Sequence, residues 1–269
     1  MSALNAHIMA GGKLEFGDRG PEVTDLQTML GFNNPDGVFG PMTFNQLSLF
    51  QAAYGLPASG LMDLPTLAKL AEAKASCTDP NSILFDQVGQ GASAETARQD
   101  RLAGGMKSSI KMAQADEGRT MQYKELFIEA AARYDLPPPL LAAIASRETR
   151  GGGQLGRDGY SIYGGNEGFG LMQVDAGHHT PTGGPTSIEH IEQAAGILAQ
   201  FRDILANRNP DWTEGQVLKA AVAAYNTGPG RVTSVAGMDR RTTGKDYSND
   251  TWIRAQYYAR YFNETLPNS

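Results

Sequence analysis

Cysteine is nearly absent: Cys77 is the one thiol in 269 residues, so no disulfide can form within the chain. Long apolar runs are missing as well, and no segment reads as a membrane-spanning helix. An excess of cations is lacking. Lys and Arg number 23 against 29 Asp and Glu, for a net charge of -6 and a pI near 5.3. That balance argues against nucleic acid, whose phosphates select basic surfaces. Met1 to Gly12 shows neither the basic start nor the apolar stretch of a signal peptide. Histidine is scarce, and His7, His178, His179 and His190 lack zinc-ligand spacing, so no metal or other cofactor is expected. A monomer made and held in a reducing cytoplasm is the expectation.

Glycine, by contrast, is plentiful at 32 residues, clustered around a few motifs. Asp36-Gly37-Val38-Phe39-Gly40-Pro41-Met42-Thr43-Phe44 is echoed by Ser59-Gly60-Leu61-Met62-Asp63-Leu64-Pro65-Thr66-Leu67, with Gly, Pro and Thr in register. Each copy reads as a Gly turn, a Pro suited to helix entry, and a Thr as N-cap of an apolar pattern. Upstream, Val23, Leu26, Met29 and Leu30 mark a third amphipathic helix. Residues 1–75 are therefore predicted to form a compact three-helix domain, residues 76–104 a polar linker, and residues 105–269 a second domain.

Helix signals dominate the second domain. Tyr123, Phe127, Ala130 and Tyr134 form one stripe, and Leu140, Leu141 and Ile144 a second after Pro137. Thr186-Ser187-Ile188-Glu189 and Thr213-Glu214-Gly215-Gln216 are capping-box patterns that open two more helices. A last helix is expected from about Ser248. Between Arg150 and Pro185 the helical period vanishes, and a short sheet or hairpin is predicted there. The fold class is mainly α, with an α+β second domain.

Three elements carry possible chemistry. Glu148 follows Ile144 by four residues and Leu141 by seven, which puts a carboxyl on an apolar helix face near the C-terminus. Burial and the helix dipole both favour the protonated form, as a general acid requires. Spacing alone also allows a structural ion pair with Arg147 or Arg150. Gly168 to Asp175 alternates like a strand and ends in a carboxylate, which in isolation is equally a turn cap. Tyr225-Asn226 before Gly228 reads either as ordinary C-capping or as a sugar-contacting rim.

Taken in order and spacing, Ser146-Arg147-Glu148-Thr149, Gly168 to Asp175 and Ala224-Tyr225-Asn226 resemble the goose-type lysozymes and, more loosely, the soluble lytic transglycosylases. The similarity continues through His178-His179-Thr180-Pro181, Glu189-His190-Ile191 and Asp246 to Tyr258, and covers roughly residues 95–265. It implies a lysozyme-like fold and cleavage of the β-1,4 bond between N-acetylmuramic acid and N-acetylglucosamine. Glu148 matches the general acid and Asp175 an acidic position that helps place the attacking water. Inversion requires the two carboxyls about 6.5–9.5 Å apart. Gln173, His179, Tyr225, Asn226 and Tyr247 match positions that line the sugar cleft; for His179 and Tyr247 loop packing is the other reading. One departure stands out: where the family often has Trp-Gly-Asp, this chain has Tyr163-Gly164-Gly165. Either Asp158 or Glu167 replaces that acid, or Asp175 works alone.

The first domain resembles the peptidoglycan-binding module of wall hydrolases, through Gly17-Asp18-Arg19-Gly20-Pro21-Glu22-Val23, Asp36 to Gly40 and Phe50-Gln51. The pair resembles phage endolysins, which wait in the host cytoplasm until a membrane lesion releases them to the wall. The rival readings are a lytic transglycosylase and a wall-binding protein without activity.

Overall fold

The computed structural model of the chain describes residues 2–76, 79–163 and 167–262; Cys77 and Gly165 lie outside them. The chain divides into two units, Met1–Val88 with Ala259–Ser269, and Gly89–Tyr258. Eleven α-helices and a single two-stranded sheet among the described residues make the protein mainly α.

The first unit contains α1 (Ala3–Met9), α2 (Pro21–Met29), α3 (Pro41–Ala53) and α4 (Leu64–Ala75). The last three are the expected helices; α1 is an addition. Its buried face is only Leu4 and Ile8, too short for a period to show. Thr43 and Thr66 are not N-caps as predicted. Gly40 and Asp63 hold those positions, and both threonines sit in the first turn with buried side chains.

Their partners explain the repeat. Gln27 and Gln51 are buried, and each reads one Gly turn. Gly37 N–H donates to Gln27 Oε1 at 2.9 Å, while Gln27 Nε2 reaches Asp36 Oδ1, Val38 O and Thr43 Oγ1 at 2.7, 3.1 and 3.0 Å. In the second copy Gly60 N–H donates to Gln51 Oε1 at 2.9 Å, and Gln51 Nε2 reaches Leu61 O and Thr66 Oγ1 at 2.8 and 3.1 Å. Gly37 and Gly60 take φ of 66° and 67°, a left-handed geometry that glycine adopts without strain. Each glutamine thus satisfies backbone groups of its Gly turn. Replacing Gln27 by Leu should cost about 1–3 kcal/mol, because the half-buried Gly37 N–H loses its acceptor and Asp36 and the buried Thr43 lose their donor. Urea unfolding followed by circular dichroism measures this; a loss near zero would show that water had taken the amide's place.

The expected linker is not one. In residues 79–88, Tyr54 donates to Asp79 at 2.7 Å and Phe85 packs edge-on against Phe50 at 5.5 Å, within the first unit. Residues 89–104 belong to the second unit, where α5 (Ala94–Ala97) and the turn Arg98–Asp100 follow Ala92. Ala92, Ala97, Met112 and Leu102 form a local apolar cluster. Four small or single apolar side chains held by tertiary contact leave no periodic trace in the sequence.

The second unit continues with α6 (Met106–Met121), α7 (Lys124–Tyr134), α8 (Pro138–Thr149), β1 (Gly168–Phe169), β2 (Val174–Asp175), α9 (Ile188–Arg208), α10 (Glu214–Thr227) and α11 (Tyr247–Tyr258). Helix α8 is buried from Pro139 to Ser146, as a central helix apolar on all sides must be. Pro at its N-terminus starts it, and Arg150 at φ 57° with Gly151 at φ 65° stops it. The predicted capping box of α10 is present, with Thr213 and Gln216 bonded reciprocally. That of α9 does not form: Ser187, one residue later than predicted, is the cap and accepts from His190 N–H. The segment Gly168 to Asp175 is a tight antiparallel hairpin, not one strand, with Gly168 opposite Asp175 and Phe169 opposite Val174. Among the described residues no helix is long and apolar enough to cross a membrane.

Candidate active site

The hairpin turn, Gly170 to Gln173, is held by three helices. Thr149 Oγ1 at the end of α8 donates to Leu171 O at 2.7 Å. Met172 N–H donates to His190 Nε2 on α9 at 3.1 Å, and Tyr225 on α10 donates its hydroxyl to Met172 O at 2.9 Å. Gly170 cannot be another residue here. Its φ is 75°, and a Cβ would lie 2.5 Å from the His190 ring. Burial pushes His190 down to about 4, so its ring is neutral and free to accept at Nε2. The turn is therefore fixed against the helix that carries Glu148.

Beside it opens a cleft of about 770 Å³ within the second unit. Glu148, Gln173, Asn226 and Tyr247 line it. Burial pushes the Glu148 carboxyl up to about 7; the Tyr247 hydroxyl, which donates to its Oε1, and the Arg147 charge oppose that rise. No ion pair involves Glu148 among the described residues, because Arg147 is paired with Asp246 and Asp250, and Arg150 with Asp100 and Asp116. The structural ion pair that spacing allowed is absent. A carboxyl in this state holds a proton near neutral pH and can release it to a neighbouring oxygen.

The other predicted residues fall in different places. Gln173 takes φ 51°, and both its backbone N–H at 3.0 Å and its side-chain Nε2 at 2.9 Å donate to Gly170 O, closing the turn while the side chain joins the cleft wall. Asn226 accepts Thr243 N–H at 2.8 Å. Tyr225 is off the wall of the cleft, its hydroxyl committed to the turn, and burial pushes its ionisation well up. His179 is also off the wall, half-buried, with its N–H on Asp175 O at 2.9 Å. For both, loop and turn support replaces the expected cleft contact.

Asp175 lies at the end of β2, outside the cleft wall and largely exposed. What little burial it has raises its carboxyl, but His178 Nδ1 at 2.8 Å and Gly177 N–H at 2.8 Å outweigh that and hold it below the usual range. It is a carboxylate at neutral pH. Asp158 is exposed and accepts Tyr160 N–H at 3.2 Å in a local turn, and Glu167 is exposed; neither lines the cleft. The carboxyls that do line it with Glu148 are Glu95 and Asp100, from the stretch read as linker. No pattern in the sequence pointed to them, since they reach the site only because residues 89–104 fold onto this unit. Among the described residues no group of His, Cys, Asp or Glu is placed to hold a metal ion.

Residues 86–261 match the family model "Lysozyme g", and residues 19–70 match "Putative peptidoglycan binding domain". The lysozyme g of Takifugu rubripes is 46% identical over 186 residues, which span 66% of this chain and 96% of that protein. That of Epinephelus coioides is 45% identical over 62% of this chain and 91% of its own. That of Struthio camelus is 36% identical over 75% of this chain and 96% of its own. With the acid-bearing helix, the fixed hairpin and the cleft in one unit, this chain belongs to the lysozyme g family of glycoside hydrolases and carries a peptidoglycan-binding domain in front of it.

Proposed function

We propose that the protein is a muramidase that hydrolyses the β-1,4 bond between N-acetylmuramic acid and N-acetylglucosamine in bacterial peptidoglycan, with Glu148 as the proton donor. The observation that carries this reading is a half-buried carboxyl, raised to about 7 and in no ion pair among the described residues, on the wall of a cleft large enough for sugars. As the glycosidic bond breaks, Glu148 gives its proton to the departing oxygen. A water adds to the anomeric carbon from the opposite face and yields its proton to the second carboxylate, which we assign to Asp175, kept ionised by His178. Gln173, Asn226 and Tyr247 hold the sugars by hydrogen bonding and ring contact. Asp175 lies two residues after Gln173, which lines the cleft, at the end of the fixed hairpin. The first unit serves to keep the enzyme on the wall, an arrangement suited to an endolysin that lyses its host at the end of phage growth. Such an acidic protein meets the anionic wall through specific contacts, because bulk attraction is absent.

Digestion of purified sacculi in ¹⁸O-labelled water, followed by mass spectrometry and early-time NMR, tests the reaction. Hydrolysis with inversion gives reducing ends that carry one heavy oxygen and appear first as the α-anomer. Unlabelled 1,6-anhydromuramic ends would identify a transglycosylase and defeat the proposal.

A further inference from the structure

Three guanidiniums line the cleft with Glu148, yet each is held elsewhere. Arg147, the residue before Glu148 on α8, places Nη1 2.9 Å from Asp250 and Nη2 3.1 Å from Asp246, and lies over the Tyr247 ring at 5.5 Å. Arg150 grips Asp100 with two bonds of 3.0 Å and puts Nε 2.7 Å from Asp116. Arg254 spans Asp250 at 3.0 Å and Asp116 at 3.1 Å. Every guanidinium thus has two carboxylates, and four carboxylates serve the three. All but Asp100 are almost fully buried, and geometry this tight leaves the guanidiniums little freedom to turn toward the cleft.

A free guanidinium next to Glu148 would act against proton donation, because an opposite charge at contact distance favours the ionised carboxyl. We propose that Asp246 and Asp250 are positioning residues for the proton donor, drawing the guanidinium of Arg147 toward α11 and so preventing its ion pair with Glu148. The inference rests on the reading of Glu148 as that donor. Around Glu148 stand Arg147 on α8, Tyr225 on α10 and Tyr247 on α11; Glu95, Asp100, Arg150, Tyr163 and Arg254 share the cleft. Of these cations, Arg147 is the one whose charge pulls on Glu148. Its adjacency in sequence makes it the natural partner if released. Asp246 is the better residue to change, since Asp250 also serves Arg254.

The test titrates the Glu148 carboxyl in the full chain by ¹³C NMR of labelled glutamate, with the signal assigned by its loss in Glu148→Gln. In Asp246→Asn the midpoint should fall by about one pH unit, the low end of the range for a new opposite charge. The alkaline limb of kcat/KM on soluble glycan should move down with it. Adding Arg147→Gln to that variant should return both to their wild-type positions or slightly above them, since the weak pull of Arg147 is removed as well. A merely structural role would lower the amplitude of activity and move neither, and an unmoved midpoint in folded Asp246→Asn overturns the proposal. If Asp246→Asn does not fold, the charge-neutral double variant decides. A rise of well under about one pH unit supports the shielding, because Arg147 then pulls only weakly on Glu148 from its place beside Asp250. A rise of about one unit or more shows that it acts as an unshielded partner and refutes it. Were Glu148→Gln to keep full activity, the donor reading would fail, yet the carboxyl titration would still judge the shielding.

Discussion

Glu148→Gln should lose glycan cleavage by about 10²- to 10⁴-fold, the usual contribution of a general acid, while making the protein more stable above neutral pH. The amide keeps the shape of the carboxyl and can still accept the Tyr247 hydroxyl, so the cleft should persist. What disappears is the transferable proton. The stability gain follows from the same raised pKa. In the unfolded chain the carboxyl ionises near 4.5, whereas in the folded protein burial holds it to about 7. Between these values the folded state binds the proton more tightly, so stability falls as pH rises and the full cost stands above pH 7. An interval of this size corresponds to at most about 3 kcal/mol, or up to about 10 °C in Tm for a unit of this length. Thermal melts of the two proteins should therefore coincide near pH 4 and separate as pH climbs to 8. Full activity in the variant would remove Glu148 from the chemistry, and melts that run parallel at every pH would show that its carboxyl is not held protonated.

Asp116→Ala should be the most damaging single change in the second unit. Asp116 is fully buried and accepts from Arg119 at 2.9 Å, Arg150 at 2.7 Å, Arg254 at 3.1 Å and Ser146 at 2.9 Å. Removing it strands Arg254, itself 2% exposed, with Asp250 as its remaining anion. It also releases one of the two carboxylates that hold Arg150. Breaking a buried pair in this way costs about 3–5 kcal/mol, since an uncompensated charge remains. That is a large part of the roughly 5–15 kcal/mol that holds a typical domain folded. Urea unfolding by far-UV circular dichroism should show the loss or collapse of the second unit's transition. A change below about 1 kcal/mol, the size of an exposed pair, would mean that solvent reaches this site and screens the arginines. Asp116→Asn keeps the Ser146 contact and should fall between the two.

The two changes act on opposite sides of one design. Glu148 is kept short of cations so that it stays protonated, and the neighbouring arginines are kept supplied with carboxylates so that they stay away. Stability is concentrated in the second set of groups and withheld from the first.

Much of this was legible in the order of residues. The stripe around Leu140, Leu141 and Ile144 placed Glu148 on an inward face, because a helix brings i, i+4 and i+7 together regardless of what packs against them. The duplicated Gly turns marked the first unit for an equally local reason: a left-handed turn admits few residues besides glycine. The capping box of α10 and the helix stop at Gly228 followed from backbone groups that must be satisfied within a turn. The errors lie where that locality ends. Phe169 to Val174 alternates like a strand, but the positive φ of Gly170 and Gln173 folds it into a hairpin braced by His190, Thr149 and Tyr225.

What the amino-acid order determined by itself was most of the helices and the duplicated Gly turns, properties written in short-range periodicity and turn chemistry, together with the ordered motifs whose resemblance to a family points to Glu148. Only the tertiary structure decided which side chains surround that carboxyl. Arg147 chooses Asp250, 103 positions away, over the glutamate next to it, and Glu95 and Asp100 join the cleft from a stretch with no helical period of its own. Coulombic partners and cleft walls depend on distance in space, and a linear pattern carries no measure of that until the helices have packed.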